Sequence, residues 1–185
     1  MSQSPAAVIE VPVLETRRLL LRGHRLEDFS DCAAMWADPS VTRFIGGKPL
    51  NEEESWTKFL RYAGHWSLLG FGYWAVEEKS SGKFVGEIGF ADYKRELELT
   101  LKGVPETGWV LASAAHGKGY ATEAVRAAVQ WGDAHFDGAK TACIIAPDNL
   151  ASIHVAEKCG YRKSQATTYR GQPTLMFVRE RKIFP

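Results

Sequence analysis

The feature that most constrains this chain is a glycine-rich turn, His-Gly-Lys-Gly-Tyr-Ala-Thr, at residues 116–122. A compact apolar segment typical of a strand precedes it, and apolar residues at helical spacing follow over residues 121–136. The first amides of a helix have no partner inside it, so such a turn can aim several N–H groups at one anion. Gly117 and Gly119 tolerate the unusual dihedrals of an amide nest. The pattern predicts a phosphate-binding turn.

The backbone amides, rather than the side chain of His116, are expected to carry this site. Each hydrogen bond from a backbone amide to a charged oxygen contributes about 1.5 to 3 kcal/mol, and the helix dipole adds roughly 0.3 to 1 kcal/mol. The turn lacks the Gly-Lys-Ser/Thr ending of a Walker loop, and Thr122 departs from the Gly-x-Gly-x-x-Gly pattern. The alternative is that the two glycines only make a tight connection.

The rest of the chain predicts alternating strands and helices without an internal repeat. Strand patterns cover residues 18–22, 71–78, 83–90, 107–112, 141–146 and 174–179. Helical patterns begin near Asp28, Asn51, Ala121 and Asn149, and the first two helices are expected to cover one face of the sheet. A Lys-Ser-Ser-Gly connection predicts a hairpin between the second and third strands. Apolar and polar residues alternate over 97–101, which is either a strand or an ordered loop before the next strand.

Length and composition favour one soluble domain. The 185 residues are 45% hydrophobic, enough for one core, and the domain is expected to span residues 1–185 with a loose segment at 1–13. The 23 basic and 22 acidic side chains provide no global field for nucleic acid or a membrane surface. No run of about 18 apolar residues predicts a membrane span.

The three cysteines predict a reduced, cytoplasmic protein without a structural metal. Cys32, Cys143 and Cys159 are odd in number and widely spaced, without paired Cys/His spacing for zinc.

A second motif follows the turn after one helix and one strand, with Asn-Leu-Ala-Ser at 149–152 and Lys-Cys-Gly-Tyr at 158–161. With both motifs, the sequence resembles the GNAT superfamily of acetyl-CoA-dependent N-acyltransferases. The pattern His-x-x-Gly-x-Ala at 116–121 is similar to the pyrophosphate motif of that family. Gly-Glu-Ile-Gly from residue 86 and Glu-Thr-Gly-Trp at 106–109 resemble the branch that acetylates ribosomal-protein N-termini.

The resemblance implies an α/β (mixed α+β) GNAT fold with a mixed, mostly antiparallel twisted sheet. Roughly six to seven strands, with splayed central strands, would be flanked by about four helices. It also implies acetyl-CoA as cosubstrate and no metal. The main chain of Trp109, Val110 and Leu111 would pair with the pantetheine arm. The pyrophosphate and the rest of the arm would be held by His116, Gly117, Lys118, Gly119, Tyr120, Ala121, Thr122, Asn149 and Ser152.

The sequence departs from the family pattern at two positions. His116 stands where Gln or Arg is usual, and Ala156 stands where many members place a tyrosine that protonates the leaving thiolate. Resemblance to the ribosomal-protein branch implies that Ser152 replaces this acid, although it is equally a polar residue in a first helical turn. Asn149 is equally a helix N-cap.

The reaction needs a base, because an amine attacks a thioester only in its neutral form. Glu106, on the strand that would carry the thioester, is the first candidate, acting directly or through water. Glu87 on the neighbouring strand is the second, and it could instead orient the substrate ammonium. Both are also explained as salt-bridged residues. The amine would attack directly, with the backbone at Val110 polarising the carbonyl and without an acyl-enzyme.

The predicted function is acetylation of a primary amine, on a protein N-terminus or a small molecule, by a monomer or a homodimer. The acceptor pocket is expected between the first two helices and the loop at residues 44–50, where aromatic residues are frequent. A non-catalytic acyl-CoA-binding sensor or partner module is the main alternative, made plausible by Ala156 and His116. A nucleotide-binding protein is a third.

Overall fold

A computed structural model of the chain describes residues 10–97, 101–138 and 140–181. Its strands are β1 Leu14–Glu15, β2 Leu19–Arg22, β3 Tyr73–Glu78, β4 Lys83–Ala91, β5 Glu106–Leu111, β6 Lys140–Ile145, β7 Arg162–Tyr169 and β8 Gln172–Glu180. They form one sheet in the order β1-β2-β3-β4-β5-β6-β8-β7. Only the β5–β6 pairing is parallel in the described sheet. The predicted mixed, mostly antiparallel sheet is confirmed, with eight described strands instead of the expected six to seven.

Five α-helices accompany the sheet within the described ranges. They are α1 Phe29–Ala37, α2 Pro39–Thr42, α3 Glu52–Leu69, α4 Tyr120–His135 and α5 Leu150–Lys158. Helices α1 and α3 pack together against β4 and β3, whereas α4 packs against β1, β2, β4 and β5. Val110 belongs to the core cluster of α1 and α3, and the next residue, Leu111, belongs to that of α4. Because successive strand residues point to opposite faces, the two helix layers cover opposite faces of the sheet.

Local sequence signals at both ends of α3 set where the helix begins and ends. The Asn51 side chain accepts a hydrogen bond from the Glu54 amide (2.8 Å), and the Glu54 carboxylate accepts one from the Asn51 amide (2.9 Å). This is the predicted capping box. Gly70 ends the helix with a φ of 72°, a left-handed conformation that favours glycine. The aromatic residues between these ends can therefore face the sheet in a fixed register.

Strand β7 is absent from the sequence prediction. Its sequence, Arg-Lys-Ser-Gln-Ala-Thr-Thr-Tyr, is polar and mostly exposed, and it pairs with β8 at the end of the sheet. Such a strand lacks the apolar alternation by which strands are recognised. Of the stretch 97–101, whose structure was left open, residues 98–100 lie outside the described residues.

Candidate active site

The predicted phosphate-binding turn is open and has an uncapped helix end. Gly117 and Gly119 have φ values of 74° and 77°, and Gly119 is the N-cap of α4 without a side-chain hydrogen bond. A Cβ atom added to Gly117 would meet no atom within 4 Å. The need for glycine at position 117 is therefore conformational, since the space beside its α-carbon is open. This geometry fits an anion such as phosphate.

Arg18, the residue before β2, contacts the turn, and sequence reasoning had not assigned it this role. Its guanidinium donates to the Lys118 carbonyl (2.9 Å) and to the Glu123 carboxylate (2.7 Å), and it lies 4.5 Å from the Tyr120 ring centroid. The hydroxyl of Tyr120 donates in turn to Glu78. These contacts fix the turn against the start of the chain and place a cation beside it.

His116 contacts the strand before the turn. Its Nε2 donates to the carbonyl oxygen of Leu111 (2.9 Å), the last residue of β5. The ring therefore fixes the connection between the strand and the turn, and it occupies one carbonyl at the end of β5.

Strands β5 and β6 separate almost at once. The register has a single pair, Glu106 with Ala142, although both strands continue. The Ala142 amide donates to the Pro105 carbonyl (3.1 Å), so alternation directs the main chain of Trp109 and Leu111 toward β6 as well. The splay predicted for the central strands thus leaves an edge of β5 that β6 does not pair, and this edge runs to the glycine-rich turn.

The main chain of Val110 faces β4, on the side of β5 away from the gap. A Cβ atom on Gly86 of β4 would lie 2.3 Å from the Val110 carbonyl oxygen, so that oxygen faces β4. Its side chain is buried in the cluster of α1 and α3. Of the three residues expected along the arm, Trp109 and Leu111 therefore face the gap.

Tyr161 spans the gap where it opens. Its hydroxyl lies 2.6 Å from Thr107 Oγ1 of β5 and 2.8 Å from Thr141 Oγ1 of β6. The side chain is 1% exposed, and burial raises the pKa of Tyr161 although both threonine hydroxyls oppose the shift. Three neutral hydroxyls therefore tie two diverging strands together, and sequence reasoning had not assigned them this role.

Glu87 is a completely buried carboxylate facing α1 and α3. It accepts hydrogen bonds from Tyr62 (2.6 Å), Cys32 (2.8 Å) and Trp36 (3.0 Å), and His24 Nε2 lies 3.4 Å away without a hydrogen bond. Burial acts to raise the pKa of Glu87, but His24 and the hydrogen-bond donors lower it below its ordinary value. The group is thus a carboxylate at neutral pH.

Glu106 forms a bidentate ion pair. Arg95 Nε and Nη2 lie 2.6 and 2.7 Å from its two carboxylate oxygens. The guanidinium also lies 4.6 Å from the Tyr93 ring centroid and 4.7 Å from that of Tyr169. Both oxygens of the first candidate base are therefore engaged by Arg95.

Glu106 and Glu87 lie on the same face of the sheet. Glu106 and Val110 are four residues apart in β5, so their side chains point to the same face of the sheet. Val110 stands directly opposite Glu87 in the β4–β5 register. The sheet thus brings both predicted carboxylates to the side covered by α1 and α3.

The second motif caps α5. The Ser152 amide donates to Asn149 Oδ1 (3.2 Å), so Asn149 is an N-cap, as one of the two sequence interpretations has it. Ala156 is fully buried one turn after the half-buried Ser152. A hydroxyl that serves the reaction from this helix would have to come from Ser152.

Two kinds of feature are absent from residues 10–97, 101–138 and 140–181, a metal-ligand cluster and a membrane-spanning helix. No group of three or more His, Cys, Asp or Glu side chains there is arranged to hold a metal ion. No described helix is both long enough and apolar enough to cross a membrane.

The sheet with its central gap and the uncapped turn at the end of β5 agree with the fold that the sequence resemblance implies. Residues 18–162 match the family described as acetyltransferase (GNAT) domain, and the chain belongs to that family. The resemblance expected from the sequence is thus confirmed, and the protein is an acyl-CoA-dependent N-acetyltransferase.

Individual relatives agree with this placement. An N-acetyltransferase of Bacillus licheniformis named p20, itself uncharacterized, is 26% identical over 81% of this chain and 82% of its own. The structure of an acetyltransferase from Agrobacterium tumefaciens is 25% identical, with a TM-score of 0.79 over 96% of this chain and 99% of that one.

Two more distant structures share the fold and contain coenzyme A. The aminoglycoside acetyltransferase AAC(6')-Ib is 20% identical, with a TM-score of 0.73 over 88% of this chain and 95% of its own. The ribosomal α-N-protein acetyltransferase RimL is 13% identical, with a TM-score of 0.74 over 91% and 98%. The ribosomal-protein acetyltransferases are therefore among several GNAT groups with this fold.

Proposed function

We propose that this enzyme transfers the acetyl group of acetyl-CoA directly to a primary amine, carried by a small molecule or a protein N-terminus. The observation that supports this most is the continuity of the unpaired β5 edge with the uncapped turn at Gly117 and Gly119. An extended arm that ends in a pyrophosphate needs these two features in this order. CoA has that chemical layout, whereas ATP lacks the arm.

The proposed binding roles follow the geometry. The main chain of Trp109 and Leu111 pairs with the pantetheine arm in the gap, while Val110 supplies its buried side chain beneath the acyl end. The amides of residues 117–122 hold the pyrophosphate, and Lys118 and Arg18 add positive charge. On the other wall of the gap, Asn149 and Ser152 approach the arm from the start of α5, in addition to the capping role of Asn149.

The proposed chemistry places the acceptor on the α1–α3 face, where Glu87 and Glu106 lie. A buried carboxylate with a low pKa attracts an ammonium but is a weak base, so Glu87 is assigned to holding the acceptor amine. Glu106 is assigned to receiving the amine proton through water, and Arg95 holds its carboxylate in place. The amine nitrogen bonds to the acetyl carbon, the C–S bond breaks, and the thiolate takes a proton, for which Ser152 is the proposed donor.

The test is release of free thiol from acetyl-CoA in the presence of a panel of amines. The panel should contain alkylamines, aminoglycosides and peptides with free N-termini, and the acetylated product should be identified by mass spectrometry. Thiol release with at least one amine, above the rate without amine, is expected. Binding of acetyl-CoA without turnover on any amine would instead favour the non-catalytic sensor, and a melting temperature raised by ATP but not by CoA would favour a nucleotide-binding protein.

A further inference from the structure

Lys58 of α3 projects its ammonium into the aromatic cluster beside Glu87. Its Nζ lies 3.9 Å from the ring centroid of Trp36 and 5.9 Å from that of Tyr62. Both of these side chains also donate hydrogen bonds to the Glu87 carboxylate. An amine, two aromatic faces and a carboxylate thus share one small site. This is the chemistry that recognises a primary ammonium.

The surroundings make this amine less basic than an ordinary lysine. Burial lowers the pKa of Lys58 most; Glu87 raises it, Arg61 and Arg95 lower it further, and the resulting pKa is about 8. An ordinary lysine has a pKa of about 10.4, so at pH 8 the neutral fraction of Lys58 is about 100 times larger. Only the neutral amine is a nucleophile toward a thioester.

The site also lies where the acyl group is proposed to be. Trp36 belongs to the same core cluster as Val110, and Glu87 stands opposite Val110 in the β4–β5 register. The Val110 side chain packs in the cluster of α1 and α3. The Lys58 side chain is half-buried and reaches this cluster through four methylene groups, a flexible stem.

We propose that Lys58 is an internal acceptor, and that the enzyme acetylates its own Lys58 when no amine substrate is bound. This rests on the proposed function, because it uses the same acetyl-CoA site. The Nζ–C bond forms, the C–S bond of the thioester breaks, and the proton lost by Nζ ends on the CoA thiolate. The product is a neutral amide, which removes the cation over Trp36 and the positive neighbour of Glu87. Self-acetylation therefore changes the charge of the acceptor site.

The experiment is incubation of the full chain with acetyl-CoA at pH 8 without any amine, followed by peptide mass spectrometry. One acetyl group at Lys58 is expected, at a rate independent of protein concentration and about 100-fold above that of an ordinary lysine. Lys58→Arg should lose this modification. Lys94→Arg should retain it, because the Lys94 side chain is 81% exposed and lies outside the cluster.

Two results would overturn the inference while leaving the proposed function intact. One is an unmodified Lys58 in protein that releases thiol with an external amine. The other is equal acetylation of Lys58 and Lys94, which indicates chemical acetylation in solution. If acetyl-CoA neither raises the melting temperature nor releases thiol with any amine, the proposed function fails as well. Mapping the site in the unmodified sequence keeps the test valid even if Lys58→Arg folds poorly.

Discussion

The hydroxyl of Tyr161 lies 2.6 Å from Thr107 Oγ1 at the point where β5 leaves β6. Thr141 of β6 completes this bridge from the other strand. The gap that we propose for the pantetheine arm therefore starts at a buried cluster of hydroxyls.

Replacing Tyr161 by Phe should lower the free energy of unfolding by about 1 to 2 kcal/mol, because two buried threonine hydroxyls lose their partner. Affinity for CoA should fall as well, since the gap loses its fixed starting point. Urea denaturation of Tyr161→Phe, Thr107→Val and the double variant measures the coupling. Thr168→Val, an exposed change on β7, should stay within about 0.5 kcal/mol. Fully additive single changes would show that the hydroxyl bridge contributes nothing.

Replacing Gly117 by Ala should weaken CoA binding about five- to tenfold, because a side chain at a φ of 74° is strained by about 1 kcal/mol and the amides shift. Isothermal titration with CoA measures this. The matched change Gly64→Ala lies within α3, where an added Cβ also meets no atom within 4 Å. It should leave CoA binding unchanged and stabilise the fold by up to about 1 kcal/mol. Equal affinity in both variants would exclude the turn from the cofactor site.

Glu106→Gln should reduce kcat/KM at least about tenfold with little loss of acetyl-CoA affinity, because proton transfer weakens while the binding gap is unchanged. Steady-state kinetics across pH, with the acceptor found in the amine panel, measures the effect. Glu96→Gln, an exposed neighbour, should behave like the unmodified enzyme. An unchanged pH profile for Glu106→Gln would remove Glu106 from the base role.

Glu87→Gln should destabilise the fold by about 2 to 4 kcal/mol at pH 7, since Cys32, Trp36 and Tyr62 lose a charged acceptor. The folded pKa of Glu87 is below its ordinary value, so the carboxylate stabilises the fold above the unfolded pKa and loses this effect as pH falls through the folded pKa. The stability difference should therefore shrink below about pH 4. Glu157→Gln, an exposed control on α5, should show no such trend.

Lys58→Met should raise the free energy of unfolding by about 1 to 3 kcal/mol at pH 7. The folded pKa of about 8 lies below that of the unfolded chain, so the unfolded state binds more protons between these values and the stability of the unmodified protein rises with pH there. The advantage of the variant should disappear toward pH 10. Lys83→Met, at an exposed lysine of β4, controls for the added apolar group. A pH-independent difference would show that Lys58 is not desolvated in the folded state.

Local patterns were enough to predict the turn and the elements around it. Glycines at 117 and 119, the stripe of α4 and the capping box at Asn51 are each written within a few neighbouring residues. Such signals depend on the backbone and on one turn of helix, so they survive without knowledge of the partner elements. The fold class and the geometry of the turn could therefore be predicted, and cofactor binding at the turn stays a prediction.

The partners of the catalytic candidates could not be predicted in the same way. Glu87 meets Cys32 across 55 positions, and Tyr161 meets Thr107 across 54. Glu106 is paired with Arg95, which a bare glutamate in a strand does not reveal. These contacts arise from strand order and helix packing. The sequence alone therefore does not identify the hydrogen-bond and ion-pair partners of the two carboxylates.

The outer edges of the described sheet differ from its central gap. At one end β1 has two residues, and at the other the polar β7 presents charged and hydroxyl side chains. Short or charged edges discourage pairing with foreign strands, and this protects against aggregation. The unpaired length of β5 lies inside the sheet, with β6 as its far wall. The unpaired backbone of β5 is thus shielded from the strands of other proteins, while a thin, flexible chain can still enter the gap.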